Sequence, residues 1–391
     1  MRKGLFTIGM FLLLFGLTIL LAAPNTTQPN PNMINAIGAN KWIGNSTGSS
    51  ASPLENAWSS CPDTGGNHLN YTNGSGISCG TSSSGGTAQI TIPAQGRVTL
   101  TSATPVLTST VSGATTVYYT PAVGNLVPIY DGSNFNLTAF AEVSQATTDS
   151  TKSPAAVAAS SVYDIFCWVD SGPTNRCTRG PAWTSDTARS AGTALTRVNG
   201  ILLNNASITN GPAASRGTYV GTIRSNGSSQ IDYIIGAAAS GGTAGFLGVW
   251  NTYNRVSGVA NVTDNGASYT YTSATIRQAR ASAGNQVTYV VGLAEDAVVA
   301  QITNRFDLVA ATAASAAGGL GFDSTSTFTQ SVLTLVYNPT SNVVIGITAG
   351  GLSFAPSLGV HIISRNEKSD GVNANTFDAN NTDSLIVTVR N

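Results

Sequence analysis

From residue 96 to the end, short runs of β-branched and aromatic residues keep returning with turn residues between them, and this pattern constrains the fold most. Arg97-Val98-Thr99-Leu100-Thr101, Tyr269-Thr270-Tyr271-Thr272, Val287-Thr288-Tyr289-Val290-Val291 and Leu385-Ile386-Val387-Thr388-Val389 alternate or nearly alternate, with Gly, Asn and Ser separating such runs. Spacing of this order leaves little room for crossover helices. It predicts a mainly β chain, built as antiparallel β-sandwich or jelly-roll domains rather than a parallel sheet.

The densest run, 162–169, is apolar on nearly every residue, so it needs cover on both faces and is expected as a central strand. Two hairpin signals flank it. Upstream, Asp131-Gly132 separates two apolar arms, with Pro128 making the first an edge or bulged strand. Downstream, Asn199-Gly200 sits between Arg197-Val198 and Ile201-Leu202, and both turn positions tolerate positive φ.

A set of ordered segments carries a resemblance. They are Thr116-Val117-Tyr118-Tyr119-Thr120-Pro121, Val127-Pro128-Ile129-Tyr130-Asp131-Gly132-Ser133-Asn134-Phe135, Tyr163-Asp164-Ile165-Phe166, Pro181-Ala182-Trp183-Thr184-Ser185-Asp186-Thr187-Ala188-Arg189, Arg216-Gly217-Thr218-Tyr219-Val220-Gly221-Thr222 and Val249-Trp250-Asn251-Thr252-Tyr253-Asn254-Arg255. Together, over about residues 96–255, they resemble a module of tail-fibre and minor structural proteins of tailed bacteriophages and prophages. The resemblance implies a virion component contacting other virion proteins, and it suggests a homotrimer. It implies no activity, because fold and function separate easily.

The N-terminus sets a different expectation. Met1-Arg2-Lys3 is basic and residues 4–21 are mainly apolar and uncharged, so residues 1–23 read as a signal peptide or a membrane anchor, a helix able to contact the bilayer. A virion protein assembled in the cytoplasm has no use for such a leader. The alternative is therefore a secreted or membrane-anchored surface adhesin built from the same module. Residues 24–95 turn to Asn, Ser, Thr, Gly and Pro with scattered apolar residues, a composition expected of a flexible arm. Residues 96–256 form the tail-fibre-like module and 257–391 a second β-rich domain, in line with a chain long enough for about two or three domains.

Of the three pairings open to the four cysteines, the local one is simplest: Cys61 with Cys79 and Cys167 with Cys177. An exported chain would meet an oxidising compartment that favours both bonds. Two segments are read as exceptions to the β pattern. Residues 147–161 suit one short helix or a covering loop, and the Ala-rich run 309–317, ending in Gly318-Gly319, suits a helix with a glycine stop. Gly241-Gly242-Thr243-Ala244-Gly245 lacks the Lys-Ser/Thr ending of a phosphate cradle and reads as a packed turn.

Charge and chemistry narrow the function. Eighteen basic residues offset eighteen acidic ones without clustering, which leaves no footprint for nucleic acid. Histidine catalysis has only His68, in the arm, and His361, on an apolar run where a half-buried strand residue is expected. Glycosidase chemistry needs two carboxylates across a cleft; the candidates are Asp164, Asp170, Asp186, Glu295 and Asp296, of which adjacent Glu295 and Asp296 would point to opposite faces of a strand. No catalytic residue, metal ligand or cofactor is assigned, and the chain is expected not to be an enzyme. Trp183, Tyr219, Trp250 and Tyr253 lie beside Asn, Thr and Arg, and are the candidates for an exposed aromatic face on a host-surface glycan.

Overall fold

The computed structural model describes residues 41–45, 49–58, 61, 67–72, 76–81, 91–308, 314–337, 344–378 and 380–391. The apolar leader at 4–21 lies outside them, as does its expected helix. Among the described residues no helix is long and apolar enough to cross a membrane. Their only helical segments are three 3-10 turns, at Ala191–Thr193, Ala239–Gly241 and Ala279–Ala281. The fold is mainly β.

The chain divides into two compact units, Met1–Ala88 and Gln89–Asn391. The described residues of the first form two antiparallel hairpins, Lys41–Gly44 with Leu54–Ala57 and Asn67–Thr72 with Gly76–Thr81. Paired strands thus occur inside the expected flexible arm. Among the described residues, the Trp42 and Trp58 rings meet at 6.5 Å, Lys41 pairs with Glu55 at 3.2 Å, and Cys61 is bonded to Cys79.

The second unit is built from several sheets around one extended core that runs from Ala94 to Val389. Val162–Val169 lies between Asn175–Ala182 and Thr218–Arg224, antiparallel to both, as its two-sided apolar pattern requires. Leu195–Val198 and Ile201–Asn204 extend this sheet through the Asn199-Gly200 turn, whose φ values of 45° and 88° are those of a tight two-residue hairpin. Leu126–Tyr130 and Phe135–Ala139 form a separate two-stranded sheet, so Pro128 stays on an edge strand.

Two larger sheets form a sandwich. One, of eight strands, has Gly359–Ser369 between Gln286–Val291 and Ala314–Phe322. The other, of seven, has Val298–Leu308 between Val344–Phe354 and Asp383–Arg390, with Ser257–Asp264 beyond. Inward residues of both, including Val287, Leu320 and Ile363 from one and Val262, Ile302 and Leu385 from the other, share the core.

Two expectations are corrected. The boundary at 256 does not separate bodies: Gly236–Ala238 runs parallel beside Ser257–Asp264, and Gly245–Leu247 parallel beside Gln286–Val291. Cutting there would leave strand edges bare on both sides. The Ala-rich run is not a helix where it is described; Ala314–Phe322 is a strand paired on both edges. Its small residues admit polar side chains of the opposite sheet, since a Cβ on Gly318 would come 2.5 Å from Asn304 Nδ2. Residues 147–161 take the second of their two expected forms, a covering loop, and accept hydrogen bonds from buried Arg179 through the carbonyls of Asp149 and Ala155.

Candidate functional site

The aromatic layer around Val162–Val169 is where the four candidate binding residues converge. Asp164 is 2 % exposed on this strand. It accepts hydrogen bonds from Arg189 Nε at 2.7 Å, Arg189 Nη2 at 3.0 Å and Thr222 Oγ1 at 2.7 Å. Arg189 also donates to the carbonyl of Gly292 at 2.9 Å, and its guanidinium lies 4.2 Å from the centre of the Trp183 ring. Tyr219 stacks on Trp250 at 6.5 Å, and its hydroxyl sits 2.6 Å from Thr222 Oγ1.

This arrangement closes the expected aromatic binding face. Trp183, Tyr219 and Trp250 are buried, and Tyr253 is half-buried against Phe135, Ile201 and Leu203. Rings of this size gain more by filling the layer between sheets than by waiting at the surface. Burial pushes the Asp164 carboxyl above its ordinary range despite Arg189, and pushes the Tyr219 phenol up as well. These are the electrostatics of an internal cross-link. The spaces beside the layer hold only about 10 to 20 Å³, on the scale of a single water.

The other titratable groups named from sequence are also drawn into contacts. Glu295 and Asp296 do not diverge: both bind Arg255, at 2.6 and 2.5 Å, because they sit in a turn rather than on a strand. Arg255 in turn lies 5.2 Å over the Trp250 ring. Asp186 pairs with Arg224 at 3.1 Å, and its carbonyl accepts from Val360 N at 2.8 Å. Asp170 pairs with Arg176 at 2.9 Å and is held down to about 2 by that side chain and by the backbone N–H groups of Thr174 and Gly172. His361 is buried, not half-buried, and its Nδ1 lies 2.8 Å from Asp323 while its ring packs on Phe322. The His68 side chain lies outside the described positions.

Nothing in sequence spacing pointed to the largest polar cluster, inside the sandwich. Arg365 is 1 % exposed and donates to Asp264 at 2.8 Å and Asp383 at 2.6 Å, both of them fully buried. Arg280 completes Asp264 at 2.8 Å, and Arg277 binds Glu367 at 2.8 Å. The central pair differs at its two ends. Burial works to lower the Arg365 guanidinium, but the surrounding acidic groups, Asp383, Asp264 and Glu367 among them, more than offset it and hold it above its ordinary range, whereas at Asp383 burial outweighs the attraction of Arg365 and pushes the carboxyl up to about 6. Asp264 and Asp383 meet across an arginine and face no cleft, so they lack the layout of a hydrolytic pair.

The two disulfides take the local pairing. Cys61 joins Cys79, and Cys167 joins Cys177 directly across the strand pair, with Cα atoms 4.1 Å apart. Among the described residues no group of three His, Cys, Asp or Glu is placed to hold a metal ion.

No family model matches the chain, and no curated protein matches it. Among solved structures it is weakly similar to a Bacillus thuringiensis Cry1Da tryptic core variant, at 8 % identity and a TM-score of 0.17, over 78 % of this chain and 53 % of that one. The mosquito-larvicidal Cry4Aa toxin from Bacillus thuringiensis gives 9 % identity and a TM-score of 0.17, over 71 % and 49 %. The chain thus spans about half the length of each. Likeness at this level carries no argument about fold or role.

Proposed function

We propose that this chain is a structural and attachment element of a phage-type particle, of the tail-fibre or minor tail kind, working without cofactor or turnover and as a homo-oligomer. The observation that carries the reading is how the ordered motif residues are used. Asp164, Trp183, Arg189, Tyr219 and Trp250 are spent on one another inside a packed layer, as suits a rigid presenting body. A mass-spectrometric inventory and immunogold labelling of purified particles test it, and the chain should be found as a stoichiometric component. Absence from particles together with presence on the cell envelope would falsify the reading.

A second reading, a secreted or membrane-anchored surface adhesin built on the same module, is favoured by two specific features. Both disulfides suit an oxidising compartment, and residues 1–23 have the basic start and apolar run of an export segment. Fractionation of producing cells separates the two, since only the adhesin accumulates on the envelope without particles.

A further inference from the structure

The outward face of the seven-stranded sheet differs from every space in the aromatic layer. Register places its side chains in rows across four strands: Thr263, Ser384, Thr303 and Ala349 in one, and Asn261, Ile386, Gln301 and Gly351 in the next. The edge strand narrows to small residues at Ala349, Gly350 and Gly351, and the sheet there opens into a groove of about 320 Å³. That volume reaches the lower end of the range of about 300–1,000 Å³ typical of small-ligand sites. The recess depends on glycine, because a Cβ on Gly351 would stand 3.0 Å from Gln301 Cγ and begin to fill it.

We infer that this groove binds a neutral saccharide, an inference that rests on the attachment reading and supplies its contact surface. Three features of the lining select the class. No ionisable side chain lines the groove, which leaves an acidic polymer without a counter-charge. Gln301, Thr303 and Ser384 bring an amide and two hydroxyls, groups that both donate and accept, as sugar hydroxyls do. Ile386 between them gives an aliphatic surface for the C–H face of a ring, and the glycine backbone lets that ring approach closely. The neighbouring row begins the charged zone, but Arg305 is already paired there with Asp378 at 2.8 Å. A second protein copy would seek a raised or flat apolar contact, whereas this site is recessed and hydrogen-bonding.

The test uses the full chain against immobilised neutral oligosaccharides, namely glucan, mannan, galactan and N-acetylhexosamine oligomers, with dextran sulfate as the anionic control. At least one neutral oligomer should bind. Gln301→Ala, Ser384→Ala and Gly351→Val should each weaken that binding roughly tenfold or more while the thermal midpoint of the two alanine variants stays at the parent value. The two alanine variants only shorten solvent-facing side chains, so they decide the matter if the valine variant folds poorly. The inference is overturned if no neutral oligomer binds, if dextran sulfate binds as well as any of them, or if both alanine variants bind like the parent. It is also overturned if the substitutions change the solution mass and leave sugar binding intact, which would make the face a contact between copies. Should the chain be found in particles while the groove variants bind sugar unchanged, the groove fails and the structural reading stands.

Discussion

Arg189 clasps Asp164 with two parallel hydrogen bonds, at 2.7 and 3.0 Å, and with its remaining reach donates to the Gly292 carbonyl at 2.9 Å. One guanidinium therefore ties the central strand to a turn more than a hundred residues away. Arg189→Ala leaves a buried carboxylate facing Thr222 alone, and should cost about 3–5 kcal/mol of unfolding free energy. Asp164→Asn combined with Arg189→Met removes both charges and should recover at least half of that loss. Denaturant unfolding of the three proteins checks the cycle, and equal losses for single and double variants would sink it.

The Arg365 cluster makes a prediction in pH. Asp383 is pushed up to about 6, so the folded chain holds this proton more tightly than the unfolded chain does. Its contribution to stability is then complete below about pH 4, the ordinary carboxylate range, and is lost as pH rises through about 6. Asp383→Asn has no proton to lose. The stability of the variant minus that of the parent should therefore increase by up to about 3 kcal/mol between pH 4 and pH 7. A difference that stays level or shrinks across that window contradicts the assignment.

Local features were legible in the residues, and distant ones were not. The Asn199-Gly200 turn and the Cys167–Cys177 bridge depend on neighbours a few positions apart, and both stand as read. The central place of Val162–Val169 follows from its own composition, which demands cover on two faces. The Ala-rich run misled because Ala has high helix propensity, while the strand partners that overrule it, Gln330–Tyr337 and Gly359–Ser369, lie further along the chain. Trp183 and Trp250 had polar neighbours in sequence that resembled a surface setting. Arg189 and Arg255, which cover the two rings, stand close by along the chain, but the burial is decided by other elements, as where Tyr219 of the strand Thr218–Arg224 stacks on Trp250. The sandwich cluster was invisible for the same reason, since Arg365 and Asp264 stand 101 positions apart.

The Cys167–Cys177 bond joins directly opposed residues of two paired strands and closes a loop with a sequence separation of 10. Replacing both by Ala frees that hairpin in the unfolded state and should cost about 2–3 kcal/mol. Reductant should destabilise the second unit of the parent by a similar amount and leave that unit of the double variant unaffected. Non-reducing peptide mapping should show this pair linked, and Cys61 linked to Cys79. A crossed linkage would contradict both the register and the pairing.

Gly359 opens the strand Gly359–Ser369 at φ +104°, a conformation that side chains rarely adopt, and it meets the loop that follows Trp183. A Cβ there would lie 2.4 Å from the Asp186 carbonyl oxygen and 2.6 Å from Thr187 Cα. The same carbonyl accepts the Val360 N–H at 2.8 Å, so the added methyl pushes apart the two backbones that this bond holds together. Gly359→Ala therefore adds a clash with backbone to a strained dihedral, for a cost of about 2–4 kcal/mol. Gly200→Ala separates the two contributions. Gly200 has φ +88° with nothing within 4 Å of its would-be Cβ, so only the strain of about 1 kcal/mol remains. Hydrogen exchange should find the Val360 amide deprotected in the first variant and unchanged in the second. Equal losses in the two variants would mean that the loop does not dock on this strand.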